Sequence, residues 1–71
     1  MANAVRYELS EGNSNKFWEI STQGVEVTVR FGRIGTDGQS KTKSFEDAEA
    51  AAKHVEQLVK EKTGKGYREV K

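Results

Sequence analysis

Apolar and polar side chains alternate near the start of the chain, where Val5, Tyr7 and Leu9 are separated by Arg6 and Glu8. A period of two sends one set to a common face and predicts a half-buried strand. The segment Ser10-Glu11-Gly12-Asn13-Ser14 is a loop by composition. Residues 15–22 are rich in aromatic and β-branched side chains and predict a second strand; 25–34 predict a third, and 39–45 a fourth. Gln23-Gly24 and Asp37-Gly38 each read as a tight two-residue turn. The first of these turns sets a register, with Thr22 opposite Val25, Ile20 opposite Val27 and Trp18 opposite Val29, all on one face. The other face then carries Phe17, Glu19 and Ser21 against Glu26, Thr28 and Arg30, and Phe17 is the one residue that breaks the pattern.

The period then changes. Ala48, Ala51, Ala52, Val55, Leu58 and Val59 recur at helical spacing and form one apolar stripe. Ser44 reads as the cap, with Asp47 three residues on as a capping-box-like partner. Glu46 and Asp47 suit the positive start of a helix, and Lys60 and Lys62 its negative end. Gly64 reads as the C-cap, and residues 67–70 as a short last strand. The predicted fold is α+β: a twisted antiparallel sheet of four to five strands with one helix, about 44–63, packed on one face.

The length of 71 residues predicts a single domain, 1–71. A chain this short buries only about 60% of its unfolded surface, which leaves little room for a deep substrate cavity. Cysteine is absent, which removes disulfides, a thiolate nucleophile and thiolate-bound zinc. The single His54 has no second histidine with which to hold a metal, and it reads as a surface or boundary residue of the helix. No apolar run exceeds Ala50-Ala51-Ala52, too short to span a bilayer, and Met1 to Arg6 lack a hydrophobic leader core. The expectation is a cytoplasmic, monomeric protein with no membrane partner. Net charge is only +1, but its distribution is uneven. Arg30, Arg33, Lys41 and Lys43 outweigh Asp37; Glu46, Asp47, Glu49 and Glu56 outweigh Lys53; Lys60, Lys62, Lys65, Arg68 and Lys71 outweigh Glu61 and Glu69. Basic stretches thus flank an acidic helix.

Phe31 and Arg33 lie two apart, so on a regular strand they share a side and continue the face of Val25, Val27 and Val29. A flat ring beside a guanidinium suits a nucleotide, since the ring stacks on a base and the arginine forks onto phosphate. The competing reading is that Phe31 ends the apolar core and Arg33 is merely solvated. Lys41 and Lys43 share one face of the return strand and approach Arg30 if Asp37-Gly38 turns tightly; they meet phosphates, or they protect an edge strand. The spacing Gly32-x-x-Gly35-x-x-Gly38 is not followed by Gly-Lys-Ser/Thr and a helix, so it reads as a hairpin and not a phosphate-cradling loop. Trp18 reads as core, Tyr67 as packing beneath the helix end, and Glu46, Asp47 and Glu49 as helix-start charges. No nucleophile is paired with a base, so an enzyme is not expected, and neither is a cofactor.

Phe31-Gly32-Arg33-Ile34-Gly35-Thr36-Asp37-Gly38-Gln39 resembles the signature of the WGR domain family, named for a Trp-Gly-Arg triplet followed by a glycine-containing turn. Asn15-Lys16-Phe17-Trp18-Glu19-Ile20 resembles its early aromatic strand, and residues 44–51 the opening of its helix. Lys62-Thr63-Gly64-Lys65-Gly66-Tyr67 resembles its terminal Lys-Thr-Gly-x-x-aromatic box. The resemblance runs from about Val5 to Val70, with Phe31 standing where the family has Trp. In DNA-dependent poly(ADP-ribose) polymerases this domain sits at a strand break. The triplet's aromatic residue packs on the terminal nucleotide, its Arg contacts DNA and neighbouring domains, and the domain itself is not catalytic. The resemblance therefore implies a module that contacts DNA ends or nicks through Phe31, Gly32 and Arg33, with Arg30, Lys41 and Lys43 adding charge. The alternative is a protein-interaction module that docks an acidic partner or domain.

Overall fold

The first three strands form because two short turns return the chain on itself. The computed structural model describes residues 3–70; Met1, Ala2 and Lys71, which enter the leader and terminal-charge readings above, lie outside the described residues. Strand β1 (Asn3–Glu11) and strand β2 (Ser14–Gln23) are joined by Gly12-Asn13, so the predicted loop at 10–14 is mostly strand. Strand β3 (Glu26–Arg33) follows through Gly24-Val25. Strand β4 (Gln39–Ser44), helix α1 (Ala48–Gly64) and strand β5 (Arg68–Val70) complete the chain. All pairings are antiparallel, in the order β4-β3-β2-β1-β5. The α+β fold and the single helix on one face match the sequence reading.

Four local expectations are corrected. The β2–β3 turn is Gly24-Val25 and not Gln23-Gly24, so Thr22 faces Val27, Ile20 faces Val29 and Trp18 faces Phe31. Gly24 has φ +62, and among the described residues no non-glycine residue has positive φ. A turn over Gln23-Gly24 would have asked Gln23 for that conformation. Asp37-Gly38 is not a tight turn either. Residues 34–38 form a five-residue loop, with the Thr36 backbone N–H (3.1 Å) and hydroxyl (2.7 Å) both donating to the Arg33 carbonyl. The helix begins four residues later than predicted. Ser44 stays in β4 opposite Glu26, and the Asp47 side chain caps the helix by accepting from the Ala50 N–H at 2.8 Å. At the other end Gly64 is helical and Gly66 takes the positive φ, while the Gly66 and Tyr67 N–H groups return to the Thr63 and Lys62 carbonyls.

The core lies between the helix and β1 to β3. Tyr7, Trp18, Ile20, Val27 and Ala51 are buried, and Val29, Phe31, Phe45, Val55, Leu58, Val59 and Tyr67 pack around them. Ala51 is fully buried at the helix–sheet contact, where its small methyl leaves room for the helix to pack. The apolar stripe is turned from the predicted one: Ala48 and Ala52 are exposed, and His54 is half-buried against Phe45 at 4.8 Å between rings. Phe45, on the β4–α1 link, fills that side of the helix. Burial, and after it Glu69 on β5, pushes the Tyr7 phenol above its ordinary value. No described helix is long and apolar enough to cross a membrane.

The opposite sheet face carries no helix, yet Phe17 there is only 1% exposed. Its ring lies between the guanidinium groups of Arg6 and Arg30, at 4.6 and 5.3 Å from the centroid. Both arginines converge on Glu19, at 2.7 and 3.0 Å. Burial by itself would raise the Glu19 carboxyl, but hydrogen bonds from Arg30 and Arg6 outweigh it and hold the carboxyl below its ordinary range. A depressed carboxyl stabilises the fold fully above the ordinary carboxylate range, and that contribution is lost as pH falls through the folded value. Glu19→Gln is therefore expected to cost about 0.5–1 kcal/mol at neutral pH after solvent screening. The gap between wild type and variant should hold above the ordinary carboxylate range and narrow as pH falls below it. Urea midpoints across a descending pH series check this; a gap that does not narrow on acidification counts against it.

Candidate functional site

The β2–β3 ladder fixes which side chains meet at its open end. The Ile34 N–H donates to the Asn15 carbonyl at 3.0 Å, so that pair is hydrogen-bonded and the alternation assigns Lys16–Arg33 and Trp18–Phe31 to the non-hydrogen-bonded class. Side chains of such pairs approach most closely. Trp18 is 3% exposed, and Phe31 is half-buried and packed against the core that contains Trp18. One step further out, Lys16 and Arg33 stand directly opposite one another. Like charges in that relation are unfavourable.

From above, α1 and the segment after it close one side of this end. Leu58, Lys62 and Tyr67 join the strand residues to line a cleft of about 570 Å3. The Lys62 ammonium lies 5.8 Å from the Trp18 ring and 5.6 Å from the Tyr67 ring. Three cations, Lys16, Arg33 and Lys62, thus border a cleft whose lining contains no carboxylate. None of them takes part in an ion pair among the described residues. Arrangements of this kind attract an anion that also carries a flat apolar surface.

The residues singled out from sequence divide in two. Phe31, Gly32 and Arg33 all line the cleft. Lys41 lies beside it, its ammonium 5.8 Å from the Phe31 ring. Lys43 is one pair further away, opposite Val27 and over the Phe45 ring at 5.3 Å. Arg30 is not with them. It points to the helix-free face and is held by Glu19. The expected cluster of Arg30 with Lys41 and Lys43 is therefore corrected: Lys41 pairs with Val29 and Lys43 with Val27, and cross-strand partners share a face that Arg30 leaves. Gly32 has a packing role as well. A Cβ there would come 2.8 Å from the Gly38 Cα, so the 34–38 loop can lie back on β3 only over glycine.

Lys16 and Lys62 were not singled out from sequence. With the turn placed at Gly24-Val25, pairing puts Lys16 across from Arg33. Continuing the stripe Ala51, Val55, Leu58 by four residues reaches Lys62. Both signals were present but depended on the correct turn and helix phase. Among the described residues no group of His, Asp and Glu is placed to hold a metal ion.

Comparison with known proteins gives the chain a family. The family model for the WGR domain matches residues 3–71. Protein YehF of Escherichia coli is 50% identical over 54 residues, covering 76% of this chain and 20% of that protein. The uncharacterized protein YfeS of Escherichia coli is 36% identical over 64 residues, covering 90% of this chain and 26% of that protein. A crystal structure of a Bacteroides fragilis protein superposes with a TM-score of 0.94 at 39% identity, over 97% of this chain and 20% of that one. The chain thus spans between a fifth and about a quarter of the length of the curated relatives it matches.

Proposed function

The chain belongs to the WGR domain family, and on that premise we propose that its cleft is a non-catalytic contact site for the end of a nucleic-acid strand, at a DNA end or nick. The family's domain is a nucleic-acid-binding type of module in poly(ADP-ribose) polymerases, which supports this reading. The observation that carries it is the Lys16–Arg33 pair. Two cations set opposite one another with no acidic partner among the described residues are unfavourable in the free domain. A phosphate bound between them removes that repulsion. Beside the pair, the exposed part of the Phe31 ring offers a surface for the terminal base or sugar. Lys62 and Lys41 border the same place and add charge. Phe31 presents less area than the tryptophan of the family triplet and has no indole N–H, so stacking takes a smaller share here and phosphate a larger one.

Fluorescence anisotropy with nicked, blunt and intact duplexes tests this. Three or four neutralised phosphates give a slope of about −3 to −4 for log affinity against log salt. Phe31→Ala is expected to weaken binding by about 1–3 kcal/mol. Arg33→Ala should both weaken binding and make the slope shallower by about one. Arg30→Ala, on the other face, should leave binding unchanged. The reading fails if no nicked duplex binds at low salt, or if Arg30→Ala matters as much as Arg33→Ala.

A further inference from the structure

The two edges of the sheet are not equivalent. One is β5, only three residues long. The other is β4, six residues of which every one is exposed. The Phe45 N–H donates to the Val25 carbonyl at 2.8 Å, which places that pair in the hydrogen-bonded class. Alternation along the β3–β4 register puts Lys43–Val27, Lys41–Val29 and Gln39–Phe31 in the same class. Thr42–Thr28 then belongs to the close, non-hydrogen-bonded class, and the two hydroxyls do meet at 3.0 Å. It follows that the N–H and C=O groups of Ser40, Thr42 and Ser44 point outward, away from β3. They recur about every 7 Å, the spacing a further strand requires.

Of the usual devices that blunt a sheet edge, this one has only its lysines. It contains no proline and no bulge, and its outward-bonding residues carry only short hydroxyl side chains. The lysines are on the intervening positions. Their ammonium groups lean back over Phe31 and Phe45 on the helix side and leave the edge open. We propose that β4 accepts an extended acidic strand from a partner protein, added edge-on to the sheet. Outward groups of Ser40, Thr42 and Ser44 supply the main-chain bonds, and alternate carboxylates of the added strand meet Lys41 and Lys43. Charge selects this occupant over a second copy of the chain. An antiparallel β4–β4 pair would bring Lys41 and Lys43 of each copy against the lysines of the other. The edge differs from the cleft, although Lys41 borders both: it offers backbone groups of β4, whereas the cleft is lined by residues of β2, β3 and α1 and by Tyr67.

The test uses an acetylated, amidated peptide alternating glutamate with valine, titrated into the 15N-labelled domain at low salt. Binding should slow hydrogen exchange at the amides of Ser40, Thr42 and Ser44, and not at Lys41 and Lys43, which already bond to β3. Thr42→Pro removes one outward donor and no ladder donor, and is expected to weaken the peptide by about tenfold, with Thr42→Ala near wild type. N-methylation of the peptide on its pairing amides should have the same effect without altering the protein. A nicked duplex should bind Thr42→Pro as it binds wild type, which keeps failure here distinct from failure at the cleft. The proposal is overturned if the peptide does not bind, or if it binds with equal affinity after N-methylation, as a purely electrostatic ligand would. Protection of the three amides by self-association without peptide, or parallel loss of peptide and duplex binding in Thr42→Pro, also overturns it.

Discussion

Gly38→Ala is expected to remove about 3 kcal/mol or more of the domain's stability, while Gly35→Ala three residues earlier is tolerated. Both glycines have positive φ, +70 at Gly38 and +97 at Gly35, so an alanine at either is strained by about 1 kcal/mol or more. What differs is the space around them. A Cβ at Gly35 meets nothing within 4 Å. A Cβ at Gly38 collides with the Phe31 carbonyl oxygen, and lies 2.9 Å from the Phe31 carbonyl carbon and 2.8 Å from Phe17 Cζ. Neither neighbour can retreat. The carbonyl belongs to the strand that pairs with Gln39, and the ring is the most deeply buried large side chain in the domain. Strain and overpacking together cost about 3 kcal/mol or more. A domain of this size is stable by only about 4 to 10 kcal/mol. Gly35→Ala should instead lower the thermal midpoint by about 4–8 °C per kcal/mol. Urea titrations followed by far-UV circular dichroism compare the two, and similar midpoints would show that the loop is free to lift from β3.

The architecture was legible because two periodicities carry it. Alternation along 5–9 and 15–34 separates faces, and the stripe in α1 identifies the covering element. Register was misplaced by two residues, and an even slip keeps every side chain on its proper face. Trp18, Ile20 and Val27 are consequently core in both readings. The same slip hid the site. With Gln23-Gly24 as the turn, Arg33 faces Ser14 and Lys16 faces Phe31, so no opposed cations appear. A single question, whether Gln23 would accept positive φ, separates the two registers.

Local competition explains the remaining differences. Ser44 and Asp47 are both good helix caps, and composition does not choose between them. The structure chooses Asp47 because β3 continues to pair through Glu26–Ser44, with the Ser44 hydroxyl donating to the Glu26 carboxylate at 3.4 Å. Gly64 and Gly66 compete in the same way at the other end, and Gly66 takes the positive φ where β5 must turn back to pair with β1. For Arg30 the reason is tertiary: only the assembled sheet brings Arg6, Glu19 and Arg30 together, from three different strands.

Phe17, the residue that broke the alternation, carries the second large effect. Phe17→Ala is expected to destabilise the domain by about 3–5 kcal/mol. Phe31→Ala, at a half-buried ring, should cost about 1–2 kcal/mol. The contrast runs against the usual order for a sheet with one covered face, where the aromatic residue on the helix side would matter more. Here the helix-free face has built a second small core from unusual parts. Two guanidinium groups pack on the Phe17 ring, and Gly38 lies close enough to its edge that a Cβ there would come 2.8 Å from Cζ. Each cation–π contact is worth about 0.5–1 kcal/mol at a partly exposed site. Removing the ring therefore loses apolar burial and also the support under Arg6, Arg30 and the 34–38 loop. Phe17→Leu, which keeps bulk but not the flat face, should fall between the two. Urea midpoints for the three variants give the order directly. If Phe31→Ala proves the more damaging, the open face contributes little to stability, and its two arginines are only solvated neighbours of a ring held by something else.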